Sequence, residues 1–177
     1  MTKRSGPAGT DGEFTAWVTQ HRSTLLRAGT LLTAGDTGHA EDLVQATLTK
    51  LYLRWRTARE ADSTLAYART VLVTTFIDAG RRAFRRRELL VAEARPALIG
   101  PDESGQADLR LAVLTALGEL PPRQRAVVVL RHWFDLDVVT TANELGCSEG
   151  TVKSQTAKAL AHLKARLEPV ITLEETP

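Results

Sequence analysis

At 177 residues, 43% hydrophobic and 25% charged, the chain can fill one ordinary core or two small ones, and its single cysteine, Cys147, excludes an internal disulfide and any cysteine-rich zinc site. No run of about 18 apolar residues and no cationic segment leading into a short apolar one is present, which argues against a membrane span or a secretion signal and for a cytoplasmic protein. The net charge of +2 conceals two basic regions, nine Arg against three acids over 54–87 and seven Lys or Arg against four acids over 121–167, so two separate contacts with a polyanion are expected.

Taken in order, residues 1–12 contain Gly6, Pro7, Gly9 and Gly12 and are expected to form a disordered tail. Phe14, Trp17, Val18, His21, Leu25, Ala28 and Leu32 then recur at spacings of three and four, predicting an amphipathic helix over 13–32. His21 reads as a packed histidine, because no second His or Cys stands at metal-site spacing. Gly35 and Asp36 end this helix and start a second, running to about Trp55 with Ala40, Leu43, Val44, Thr47, Leu48 and Leu51 inward. A polar break over 59–63 precedes a long third helix, about 64–92, buried through Leu65, Ala68, Val71, Leu72 and Thr75. Its second half carries Arg81, Arg82, Arg85, Arg86 and Arg87, which suit either a solvated helix end or a phosphate-binding surface. Trp55, Phe76 and Phe84 lie near it as possible stacking partners for unpaired bases, with core burial the competing role for the first two.

Residues 94–107, with Pro96, Gly100, Pro101, Ser104 and Gly105, have no apolar period and read as a flexible linker. Fully extended it reaches about 45 Å, at roughly 3.3 Å per residue, so the units on either side can sit on well-separated stretches of a large partner. A helix through Leu109, Val113, Leu117 and Leu120 stops at Pro121-Pro122, and Pro122 opens another through Val127, Val128, Leu130 and Trp133.

The stretch 136–167 reads as two helices about a tight turn. Val138, Ala142 and Leu145 share one face of a helix that stops at Gly146, and Ser148 caps the next. In that second helix Val152, Thr156, Ala159, Leu160, Leu163 and Leu167 form the inner stripe. Gly150, Ser154, Ala157 and Lys158 point outward, flanked by Thr151, Lys153 and Gln155. Small, hydrogen-bonding and cationic residues opposite an apolar stripe suit a major-groove reader, whereas a helical hairpin that is merely solvated would be served as well by large charged side chains. The fold class is therefore all-α, two small helical domains joined by a linker, the second containing a helix-turn-helix.

Three segments carry a resemblance: Ala40-Glu-Asp-Leu-Val-Gln45 on the second helix, Leu120-Pro-Pro-Arg-Gln-Arg-Ala-Val-Val-Val-Leu-Arg131, and Gly146-Cys-Ser-Glu-Gly-Thr-Val-Lys-Ser154. They resemble bacterial RNA polymerase sigma factors, and among these the small extracytoplasmic-function (ECF) group of the sigma-70 family. The resemblance spans about 13–167. It implies a region 2-like domain over 13–93 that binds polymerase core and the minus-ten element, and a region 4-like domain over 108–167 that reads the minus-thirty-five element, with a tail over 168–177. By position, Asp42, Gln45 and Leu48 would contact the core. Thr74, Asp78, Arg81, Arg82 and Arg85 would hold the melted minus-ten strand, and Gly150, Thr151, Lys153, Ser154, Gln155 and Lys158 would meet the minus-thirty-five duplex. Thr74 stands where many members carry Asn, and Thr140 where an acid is frequent, so the family's base preference at the minus-ten element and one neighbouring contact of the reader are not carried over. The family implies RNA polymerase core, promoter DNA and an anti-sigma factor as partners. It also implies a monomer within the holoenzyme, with no membrane, metal or cofactor.

Two other readings compete. A conventional helix-turn-helix regulator would pair to read two half-sites. A phosphodiesterase would use Asp36, Glu41, Asp42 and Asp78 as a metal cluster, but the adjacent Glu41 and Asp42 point in different directions on a helix, and the chain is read as no enzyme.

Overall fold

A computed structural model of the chain describes residues 7–87 and 105–174, with side chains over 10–83 and 107–168. Every regular element among the described residues is helical: α1 (Pro7–Leu32), α2 (Thr37–Leu53), α3 (Trp55–Arg59), α4 (Thr64–Arg87), α5 (Gly105–Glu119), α6 (Pro122–Val128), a π-helical turn (Val129–Trp133), α7 (Val138–Leu145) and α8 (Glu149–Glu174). The helix boundaries follow from capping chemistry. Asp36 accepts from the His39 N–H at 2.9 Å and starts α2. Pro121 and Pro122 open α6, where the missing N–H costs nothing.

Helix α1 starts at Pro7, six residues ahead of the expected Glu13, and takes Gly9 and Gly12 into its first turns. Tertiary contacts offset the poor helix propensity of these glycines, about 1 kcal/mol each relative to alanine. The Tyr52 hydroxyl donates to Asp11 at 2.8 Å and Arg59 to Glu13 at 2.6 Å, tying the start of α1 to α2 and α3. The expected second helix breaks at Arg54, after which Trp55 opens α3 and turns its ring into the core against Phe14 and Trp17, with centroids 5.1 and 5.7 Å away. His21 stacks against Trp17 at 4.8 Å, in the packed role expected of it. Helix α5 begins at Gly105, inside the segment read as linker, and α8 runs on through the expected C-terminal tail to Glu174. Residues 88–104, which hold most of that linker and the end of the expected third helix, lie outside the described residues.

The two helical units pack against each other. Ala126, Val129 and Leu130 are buried in the same core as Leu25, Leu32, Leu51, Leu72 and Ile77 of the first unit, with Phe134, Leu136 and Leu145 packed at its edge. Val128 faces Leu117, Leu120 and Ala159, and Val127 faces Ala142 and Val152. Five consecutive apolar residues, 126–130, are thus buried on every side of the end of α6 and the π-helical turn that continues it, which is why no polar face interrupts the run.

Candidate nucleic-acid and polymerase interface

On α2 the six residues expected inward, Ala40, Leu43, Val44, Thr47, Leu48 and Leu51, are all buried, and the Thr47 hydroxyl is satisfied by donating to the Leu43 carbonyl at 2.7 Å. Asp42 and Gln45 are exposed beside them. Leu48, expected both inward and in the core-binding set, is 8% exposed. Its side chain packs in the core cluster that also holds Leu43, Val44 and Leu51.

On α4 the buried side is Ala68, Leu72, Val73 and Ile77. Positions 74, 78, 81, 82 and 85 fall within an arc of about 100° on the other side, at 100° per residue. Thr74, Arg81 and Arg82 are exposed and Asp78 is half-buried; the side chain of Arg85 lies outside the described residues, though its backbone continues the helix. Arg81 sits 3.7 Å from Asp78 in an exposed pair, loose enough to exchange for a phosphate. The Thr74 hydroxyl donates to the Thr70 carbonyl at 2.8 Å, leaving its oxygen as an acceptor toward solvent. Trp55 is core, and Phe76 lies beneath the Arg125 guanidinium at 5.7 Å, so neither ring is free to stack on a base.

The reader unit is built by its caps. The Asp137 carboxylate accepts from the Thr140 N–H and starts α7. That bond, with the Thr140 side chain and Arg131 adding to it, holds the carboxyl below the ordinary carboxylate range. Because the folded value is lowered, the cap's contribution is complete at neutral pH and is lost only as pH falls through that lowered value. Gly146 ends α7 at φ 58°, a left-handed conformation that a Cβ would strain. Its neighbour Cys147 packs beside Val127 and Val152. Ser148 then accepts from the Thr151 N–H at 3.2 Å and starts α8.

Along α8, Val152 and Ala159 are fully buried and Thr156, Leu163 and Leu167 partly so, while Leu160 is 42% exposed. Leu160 therefore leaves the expected inner stripe: one residue past Ala159, it is rotated out of the groove between α5 and α6. Gly150, Lys153, Ser154 and Lys158 are exposed, and Thr151 and Gln155 half-buried beside them. A Cβ on Gly150 would meet only the Ser148 hydroxyl, at 3.8 Å, so the fold itself does not require a glycine there. Lys153 leans 3.8 Å from Glu149, whereas Lys158 has no acidic partner among the described residues. No cluster of three or more His, Cys, Asp or Glu side chains suited to a metal occurs among them either, so Asp36, Glu41, Asp42 and Asp78 do not form the phosphodiesterase centre considered above. No helix among the described residues is long and apolar enough to cross a membrane.

Sequence reasoning passed over a second group of residues, those joining the two units. Arg69 on α4 donates from Nε to Glu144 of α7 at 3.0 Å, forms a second, shorter bond through its terminal nitrogen, and lies over the Phe134 ring at 5.3 Å. Arg125 on α6 donates to the carbonyls of Leu32 and Gly118 at 2.8 Å and of Leu120 at 3.1 Å. Only the weak signal of an arginine amid apolar neighbours marked either one.

Comparison with known proteins agrees with this architecture. Sigma-70 region 2 matches residues 13–87 and sigma-70 region 4 matches 110–163. The chain is 37% identical to the RNA polymerase sigma-E factor of Streptomyces coelicolor, over 88% of this chain and 86% of the relative. It is 31% identical to the ECF sigma factor SigL of Mycobacterium tuberculosis, over 95% and 97%. Among solved structures, the sigma factor RpoE of Bartonella quintana, determined with the anti-sigma factor NepR, shares the fold with a TM-score of 0.72 at 24% identity, over 88% of this chain and 97% of that one. Two family regions in the right order, relatives matched along nearly their whole length and a shared helical fold place the chain in the extracytoplasmic-function group of the bacterial sigma-70 factors.

Proposed function

We propose that this sigma factor divides its task among three outward faces: Asp42 and Gln45 of α2 for polymerase core, the arc from Thr74 to Arg85 of α4 for the melted minus-ten strand, and the face from Gly150 to Lys158 of α8 for the minus-thirty-five duplex. As a sigma factor the chain binds RNA polymerase core and directs promoter-specific initiation. It works in the cytoplasm by association, and the polymerase supplies the covalent chemistry. The observation that carries the division is the exposure of polar and cationic residues on each face directly across from a buried stripe of the same helix. A protein antagonist is a further partner, supported by the Bartonella quintana relative determined with its anti-sigma factor.

Changing Asp42 and Gln45 together to Ala tests the first face. Both are exposed, so stability should move by no more than about 0.5 kcal/mol while capture of polymerase core weakens. Equal recovery of core by the variant and the parent would remove α2 from the contact.

The third face separates positioning from reading. Lys158, a flexible point charge two turns along α8, is suited to a phosphate, and Lys158→Ala should weaken all minus-thirty-five sequences by similar factors. Ser154 and Gln155 lie nearer the helix start, where side chains meet base edges. The Ser154 hydroxyl donates to the Thr151 carbonyl at 3.1 Å and so offers its oxygen outward. Ser154→Ala or Gln155→Ala should change the ranking among sequences, by about 1–3 kcal/mol for a bidentate contact and less for a single hydroxyl. Holoenzyme selection from promoters randomised at this element reads both effects; a ranking altered by Lys158→Ala alone would reverse the helix in the groove.

A further inference from the structure

Helix α2 ends on the most exposed large apolar side chain among the described residues, Leu53 at 77%, with Tyr52 beside it at 47%. At 100° per residue, Asp42, Gln45, Thr49, Tyr52 and Leu53 fall within an arc of about 100°, opposite the buried positions of the same helix. Side-chain ties mark the two flanks of this arc. On one, Lys50 donates to the Thr75 hydroxyl of α4 at 2.9 Å; on the other, the Tyr52 hydroxyl donates to Asp11 of α1 at 2.8 Å. The stripe between them, about 16 Å from Asp42 to Leu53 at about 1.5 Å per residue, is exposed along its length.

A lone exposed leucine is ordinary on a protein surface, but this one adjoins a ring that is fixed in place. Phe14 meets the Tyr52 ring edge-on, with centroids 5.1 Å apart, while Asp11 holds its hydroxyl. The hydrogen bond to the Asp11 carboxylate raises the phenol pKa above its ordinary value, so the hydroxyl remains a donor at neutral pH. A ring fixed before binding loses little rotamer freedom when a partner covers it, and such tyrosines recur among the residues that carry binding energy. Asp42 and Gln45 cannot supply that energy alone, because exposed polar contacts are worth little in water and the centre of an interface is depleted of charge. A second copy of the chain would need about 800 Å² on each partner, more than this narrow stripe offers. Polymerase core is a partner that the chain already binds, and in the reading above it meets the same stripe at Asp42 and Gln45.

We infer that Tyr52 and Leu53 form the apolar anchor of the contact with polymerase core, and that Asp11 is a positioning residue that presets the Tyr52 ring for it. This rests on the reading of α2 as the core-facing helix. It also gives the first turns of α1, which form in spite of Gly9 and Gly12, a use beyond packing.

Competition of full-length variants against the parent chain for polymerase core is the test, with circular dichroism and urea unfolding to follow folding. Leu53→Ser should raise the dissociation constant about ten-fold or more, the scale expected when a leucine loses its burial, and leave the unfolding midpoint where it is. Tyr52→Ala should weaken binding about ten-fold and Asp11→Ala about three-fold. Asp11→Asn should bind as the parent does, because its amide oxygen still accepts from the phenol. Combined with Tyr52→Ala, Asp11→Ala should add nothing, whereas a structural role independent of the ring would add its own share and remove Asp11 as a positioning residue. Leu53→Ser decides the matter if the Tyr52 variants loosen α1, since its side chain lies almost wholly in solvent. Undiminished binding by Leu53→Ser, where the joint change of Asp42 and Gln45 to Ala does weaken it, would overturn the anchor and leave α2 as the core-facing helix. Loss of binding from neither would overturn that reading and the anchor with it. A parent chain that sediments as a dimer, and becomes a monomer in Leu53→Ser with core binding intact, would assign the patch to a second copy instead.

Discussion

Replacing Arg81 and Arg82 together by Ala is expected to make promoter opening roughly ten- to thirty-fold weaker near 0.15 M salt, with the deficit shrinking toward 1 M. The size follows from counterion release: each phosphate contact contributes about 0.7–0.9 to the slope of log K against log salt, so two contacts change it by about 1.4–1.8. Both side chains are exposed, and the face of α4 that packs, through Ala68, Leu72, Val73 and Ile77, is untouched, so the protein should remain folded. The Asp78–Arg81 pair lost in the variant is exposed and contributes little to stability. Permanganate reactivity of unpaired thymines over a salt series measures the effect. Lysine at both positions should restore the slope, because the contact requires charge more than the guanidinium fork. An unchanged slope in the alanine variant would remove this arc as a strand-holding surface.

Arg125→Ala should lower the stability of the whole chain by about 3 kcal/mol in urea unfolding. Three carbonyls, of Leu32, Gly118 and Leu120, accept from this one guanidinium, and the ring of Phe76 lies against it. Hydrogen bonds to a charged group are worth about 1.5–3 kcal/mol each before the loss is shared out, and truncation leaves helix-end carbonyls without a partner. Burial lowers the Arg125 pKa from its ordinary value, yet arginine remains charged in proteins, so the charge has to be held by these acceptors. Arg125→Lys should recover little, since a single ammonium on a flexible stem cannot reproduce the planar fork. A loss below about 0.5 kcal/mol would show that water replaces the guanidinium at no cost.

Much of this protein is legible locally. On α2 the apolar spacing identifies all six buried residues, and on α8 it identifies Val152 and Ala159, because a residue every three or four positions falls on one side of a helix whatever lies opposite. Asp36, Pro122, Gly146 and Ser148 mark helix ends through chemistry confined to a few neighbouring residues. The outward face of α8 follows by subtraction once its inner face is known, whereas Thr74 and Asp78 of α4 were singled out only by the family resemblance.

Periodicity says which face is buried but not what buries it. The run 126–130 has no polar side, and only the folded chain shows that its faces are shared between two units, drawing Ala126, Val129 and Leu130 into the core of the first. The same limit kept Leu160 in a stripe that it leaves. The start of α1 was hidden because glycines argue against a helix locally, while Tyr52 and Arg59, more than forty positions away, hold its first turns. The packing of one unit on the other was least visible of all. Arg69 and Glu144 are separated by 75 positions and Arg125 and Leu32 by 93, and a charged side chain carries no local mark of a partner that only tertiary folding brings within hydrogen-bond reach.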